Sequence, residues 1–309
     1  MATTTTAPQQ DHLSQSEVAE LARAKQSPKA VVGMVASYVG MGLIVLYCIL
    51  PFYWMIISSL RDPSQGRSTT FFPNPVSVEN FGGVFAGQNS FGRALINSVI
   101  VSGVTTVLTL VFGIVAAYAL ARLQFKGKGA VLWVIMACSM FPLIILIPAL
   151  LKMFSSTEPF QWFPNWINTY QAVIIPGLSF GLPLAVWNLT AFFKQLPVEL
   201  EQAAMVDGCT PGQAFRKVII PLAAPGVFTT AIITFIAAWN EFLIALTFAP
   251  DPRVQTATVA ISKFTGTTGF DTPYGTIMAA GVIVTVPPLL AVLIFQRRIV
   301  AGLTAGGVK

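Results

Sequence analysis

Charged residues are absent from six long apolar runs: 30–60, 94–121, 129–151, 159–193, 218–240 and 272–296. Each exceeds the roughly 20 residues a helix needs to cross a bilayer, so the pattern predicts an all-α polytopic membrane protein with six transmembrane helices. A polar island, residues 196–221, separates the fourth and fifth runs and predicts two short helices joined by a tight turn. Pro197 suits a helix start, and Glu199 and Glu201 fall in the first turn, where carboxylates meet the positive end of the helix dipole. Gly208 can adopt the left-handed conformation that closes a helix, and Thr210-Pro211-Gly212-Gln213 reads as a capping box with proline at the first helical position. Ala203 and Ala204 leave one side of the first helix nearly bare, as suits close approach by another backbone.

Several runs contain proline (Pro51, Pro142, Pro148, Pro176, Pro183, Pro287, Pro288), which removes a backbone donor and kinks a helix. Singly these are packing adjustments; together they suit a bundle that rocks between two shapes. Polar side chains within the runs are the sharper functional candidates. Trp187-Asn188 in the fourth run and Trp239-Asn240-Glu241 at the end of the fifth pair an aromatic face with an amide, a combination that suits a sugar. Packing or interfacial roles for the tryptophans, and a headgroup-level position for Glu241, are the competing reading.

The composition, 54% apolar and 10% charged, agrees with the integral-membrane class. With the N-terminus inside, twelve of the 18 Lys and Arg fall on cytoplasmic segments and six on outer ones, which obeys the positive-inside rule. Both termini and the 196–221 island are therefore expected in the cytoplasm. The net charge of +6 is dispersed along the loops and signals topology, with no nucleic-acid partner. Residues 1–29 form a tail expected to be disordered, and the first apolar run reads as a retained helix, not a signal peptide. Cys48, Cys138, Cys209 and the lone His12 show no metal-ligand spacing. No phosphate-binding glycine loop and no relay of buried acids appears, so neither ATP binding by this chain nor proton or sodium coupling is expected.

The island has the spacing of the cytoplasmic coupling loop of binding-protein-dependent ABC importer permeases. Gln202-Ala203-Ala204 is followed by Gly208 and then by Val218-x-Ile220-Pro221; Gln202 stands where that family usually has glutamate. Asn97-Ser98, Ala116-Ala117-Tyr118-Ala119-Leu120-Ala121-Arg122, Phe141-Pro142, Trp239-Asn240-Glu241-Phe242 and the tail from Gln296 to Lys309 extend the likeness over residues 30–309. The chain thus resembles the carbohydrate branch of these permeases, the MalG-like group with its SugB-type trehalose permeases.

That resemblance implies the MetI-like permease fold and an alternating-access importer in the plasma membrane. It implies a second permease subunit (MalF- or SugA-like), two ATPase subunits carrying ATP and Mg, an extracytoplasmic solute-binding protein or lipoprotein, and a disaccharide such as trehalose or maltose. This chain would be a non-catalytic transport subunit binding no cofactor or metal itself. Its permease domain would run from 30 to 298, with a cytoplasmic tail at 299–309. ATPase coupling would fall to Glu199, Glu201, Gln202, Ala203, Ala204, Asp207, Gly208, Arg216 and Pro221, and to Thr304, Gly306 and Lys309 of the tail. The outer loop 249–273, around Lys263, Phe264, Thr265 and Gly266, would meet the binding protein. Trp187, Asn188 and Asn240 remain the candidates for the substrate path. Rival readings are a permease for another solute such as glycerol phosphate, or an ATP-independent secondary transporter.

Overall fold

The computed structural model describes residues 28–65, 68–86, 91–264 and 273–307, without the side chains of 28–30 and 296–307. Regular structure among the described residues is helical, apart from one isolated antiparallel bridge between Arg61 and Val76. The first helix, α1 (Pro28–Ser59), carries Pro51 in its interior and exposes apolar side chains on all sides between Val31 and Leu50. Among the described residues, those up to Met55 form one compact unit and those from Ile56 onward another.

In the second unit, α2 (Glu79–Val84) is followed by α3 (Phe91–Arg122), α4 (Lys128–Ser139), α5 (Leu143–Phe154) and α6 (Gln171–Gln195). Then come α7 (Glu199–Val206), α8 (Pro211–Ala214), α9 (Ile220–Trp239), α10 (Leu243–Phe248), α11 (Ala257–Ser262) and α12 (Tyr274–Gly307). Five of the described helical stretches are long and apolar enough to cross a membrane, with mean hydropathy between 1.7 and 2.5. The third run is different: α4 and α5, 12 residues each, meet at 84°. Pro142 lies at the break with extended backbone (ψ 118°) and has no N–H to continue the ladder. A 12-residue helix is only about 18 Å long, too short to cross a bilayer alone, so the described helices give five spans, or six if this bent pair counts as one. The fourth run becomes helical only at Gln171, and α12 continues through Gly307, past the boundary expected at 298.

The centre of this unit is α3 packed along α6, with α9 against both. α3 turns hydroxyls inward: Ser98, Ser102, Thr105, Thr106 and Thr109 are all buried. Ser102 Oγ and Thr106 Oγ1 donate to the carbonyls of Ser98 and Ser102, each at 2.6 Å, which satisfies them without a second helix. Such small polar side chains let helices approach closely where no hydrophobic force separates helix from lipid. Apolar clusters lie at both ends of α3: Phe91 with Val84, Phe264 and Ala279 at its start, and Ala117 with Leu189, Phe193 and Ile219 near its finish.

Candidate coupling site

After α6 the chain turns extended at Leu196 (ψ 131°), and α7 begins at Glu199 with Glu199 and Glu201 in its first turn. Gly208, at φ +89°, ends it. The Gly208 N–H donates to Met205 O (3.1 Å) and the Cys209 N–H to Ala204 O (2.9 Å), which is the double bond pattern of a Schellman cap. Thr210 then opens α8: its hydroxyl accepts from the Gln213 N–H, and the Gln213 side chain accepts from the Thr210 N–H at 2.9 Å. One wide turn, Phe215–Ile219, leads into α9 as a π-helix. Pro221, near the start of α9, cannot donate to the turn before it, and a π-turn accommodates that missing bond.

The island is fastened to the bundle by one carboxylate. Glu201 points inward: Tyr118 Oη donates to its Oε1, and Arg122 Nε lies 3.4 Å from its Oε2. The Glu201 and Arg122 side chains are 12% and 8% exposed. Arg122 Nη2 also donates to Leu196 O at 3.0 Å, so one guanidinium holds both the entry to the island and its first helix. The Tyr118 ring packs between Phe193 (5.9 Å, edge-on) and Phe215 (4.4 Å). Ala204 and Ala214 face inward with these rings, whereas Ala203 is exposed.

The opposite side of the island is open. Glu199, Gln202, Asp207, Gly208, Arg216, Lys217 and Pro221 are exposed, interspersed with Leu200, Met205 and Val206, the last 86% exposed. Exposed apolar residues rimmed by charge on a helical hairpin suit a protein partner. A cleft of about 650 Å³ runs between this hairpin and the end of α3, with Gln202, Met205, Tyr118 and Lys128 among its lining residues. Thus Glu201 works from inside as an anchor, while Glu199, Gln202, Ala203 and Asp207 face outward. Tyr118 and Arg122 are the members that sequence reasoning missed as site residues. Thr304 and Gly306 lie in the α12 backbone with side chains outside the description, and Lys309 lies outside the described residues.

The remaining candidates do not converge. Trp187 is exposed on α6 and Asn188 half-buried, but Asn240 donates back to Ile236 O at 2.9 Å, closing its own helix. Trp239 turns inward and stacks on Phe235. Glu241 is occupied as well: its oxygens accept from the N–H groups of Ile244 (2.7 Å) and Ala245 (2.9 Å), capping α10. A cavity of about 170 Å³ beside it is lined by Thr105, Phe180, Thr234 and Glu241 among others, none of them the three substrate-path candidates.

The segment from Ala249 to Phe264 folds back on the bundle. Phe264 is buried edge-on against Phe91 (5.5 Å), and Lys263 Nζ donates to Pro250 O at 2.6 Å. Hydrogen bonds from the Arg253 side chain and N–H hold the Asp251 carboxyl down at about 2. Thr265 and Gly266 lie outside the described residues.

The family of binding-protein-dependent transport system inner membrane components matches residues 109–304. The trehalose transport system permease protein SugB of Mycobacterium tuberculosis is 45% identical over 267 residues, covering 86% of this chain and 94% of that protein. The trehalose/maltose transport system permease protein MalG of Thermococcus litoralis is 38% identical, covering 88% and 95%. The sulfoquinovosyl glycerol transport system permease protein SmoH of Agrobacterium fabrum is 37% identical, covering 88% and 93%. In fold, the chain is similar to a subunit of a bacterial ABC transporter involved in alginate import, with a TM-score of 0.72 at 18% identity over 88% of this chain and 98% of that one. A family match that runs through the island, and relatives aligned over more than four-fifths of the chain, show that this protein belongs to the inner membrane components of binding-protein-dependent transport systems, in their MalG-like branch.

Proposed function

We propose that this chain is the permease subunit of an ATP-driven importer for a disaccharide of the trehalose or maltose type. The observation that carries the solute class is the 45% identity to a trehalose permease over 86% of the chain, followed by 38% to a trehalose/maltose permease. The hairpin of α7 and α8 supports the coupling role: its open face offers Leu200, Met205 and Val206 to an ATPase subunit, while Glu201 ties it to α3. Closure of an ATPase pair, with ATP and Mg bound there, would push the hairpin and rock the bundle through that tie, opening it outward to receive sugar. A second, MalF- or SugA-like permease would complete the path, and a solute-binding protein would deliver sugar at the outer segment 249–273. The hairpin and both termini would lie in the cytoplasm.

The similarity to a sulfoquinovosyl glycerol permease favours a second reading, a different glycoside as cargo. Calorimetry on the solute-binding protein co-expressed with this permease separates the two. Tight binding of trehalose or maltose is expected; binding of another glycoside with no heat from either disaccharide would overturn the disaccharide reading.

A further inference from the structure

Asn97 and Ser98 occupy the second turn of α3, and both are buried, 1% and 3% exposed. Neither side chain bonds back to its own helix; one bond reaches Tyr170 beside the core, and the others reach backbone from 253 to 257. Asn97 Nδ2 donates to Gln255 O at 2.9 Å and to Arg253 O at 3.2 Å. Asn97 Oδ1 accepts from Tyr170 Oη at 2.7 Å. Ser98 Oγ accepts the Ala257 N–H at 2.8 Å, the first N–H of α11, where Thr256 gives no side-chain cap. One amide and one hydroxyl thus hold three backbone groups between 253 and 257, the carbonyls of Arg253 and Gln255 and the N–H of Ala257, against the helix. Gln255, Thr256 and Ala257 are buried by this contact.

We propose that Asn97 is a positioning residue that sets the pose of the outer segment 249–264, and so sets how a solute-binding protein engages the transporter. The inference rests on the reading above that this segment meets the binding protein. The chemistry favours a dedicated latch over general packing. An unpaired backbone carbonyl buried near the membrane is costly, so the segment must find donors, and Asn97 supplies two in one rigid group. Aspartate at this position would place a carboxylate against two carbonyl oxygens with nothing to donate. Besides Asn97 and Ser98, the segment is tied to the rest of the unit by Thr258 Oγ1 donating to Glu241 O at 2.9 Å, by Asp251 N–H donating to Asn168 Oδ1 at 3.0 Å, and by Phe264 buried against Phe91.

The test uses the complete transporter in liposomes, with trehalose-loaded solute-binding protein titrated against ATP hydrolysis. Asn97→Ala and Asn97→Asp should raise the half-maximal binding-protein concentration at least about tenfold, as the loss of two hydrogen bonds implies. Hydrolysis without binding protein, and the amount of assembled complex, should stay at the wild-type level. Ser98→Ala, which removes one bond, should shift the same titration in the same direction by less. Equal half-maximal concentrations in variants and wild type would overturn the inference, and so would a parallel fall in basal hydrolysis and assembly in all three variants, which marks a folding role. A wild-type transporter that ignores loaded binding protein would overturn the functional reading together with this inference.

Discussion

Glu201→Gln isolates the tie between the hairpin and the bundle. The amide oxygen can still accept from Tyr118, so the substitution removes charge rather than shape. What it leaves is the Arg122 guanidinium, 8% exposed, without its ion-pair partner and donating to Leu196 O. Breaking a buried ion pair at one partner costs about 3–5 kcal/mol, and a hydrogen bond to a charged group contributes about 1.5–3 kcal/mol. The 3.4 Å separation is long for a charge-assisted bond and Glu201 keeps 12% exposure, so the lower figure applies, about 2 kcal/mol. That lowers the ratio of docked to undocked hairpin by about 30-fold. Hydrogen exchange of the α7 amides should accelerate accordingly, and sugar moved per ATP hydrolysed should drop while ATP hydrolysis continues. Adding Arg122→Gln removes the stranded charge and lets two amides pair, so the double variant should recover part of both readouts. Wild-type exchange and wild-type sugar-to-ATP ratio in Glu201→Gln would refute the claim that this pair anchors the hairpin.

Gly208→Val should cost at least about 1–2 kcal/mol from its φ of +89° alone, since no neighbour lies within 4 Å of the added carbon; sugar-stimulated ATPase activity should collapse with membrane insertion intact. Gly226→Ala places its Cβ 2.3 Å from the Phe192 ring, an overpacking of about 1–3 kcal/mol that should appear as a lowered thermal midpoint of the purified complex. Asn188→Ala, half-buried beside exposed Trp187, should weaken transport several-fold and shift the preference between trehalose and maltose if it reaches sugar; unchanged preference with lost coupling would make it a packing residue. Asp251, held at about 2 by Arg253, contributes to the outer segment fully above its ordinary pKa of about 4 and loses that contribution only as pH falls through 2. Stimulation by loaded binding protein should therefore show the same pH profile in Asp251→Asn and wild type from about pH 5 upward.

What was legible in the sequence was whatever is encoded within a few neighbouring residues. Charge-free runs marked the crossing helices, Gly208 marked the turn, and Thr210 with Gln213 marked the cap, because hydropathy and capping are local. Pro142 marked a kink, but its size, 84° between α4 and α5, escaped because hydropathy runs on unbroken through Phe141 and Pro142. The inward role of Glu201 escaped for a different reason. Its partners, Tyr118 and Arg122, lie about 80 residues earlier on α3, and only the packing of α3 on α6 brings them under α7. Pairing Trp239 with Asn240 as one sugar-facing unit failed on helical geometry: consecutive residues on a helix point about 100° apart, so one went into the core and the other to the surface.

If this chain is the permease of an ATP-driven disaccharide importer, uptake must need both ATP and a solute-binding protein. Uptake of radiolabelled trehalose and maltose into liposomes holding the complete transporter tests it directly. At least one of them should accumulate, and only when solute-binding protein is present on one face and ATP with Mg on the other. Accumulation that continues without ATP, or without binding protein, would contradict it.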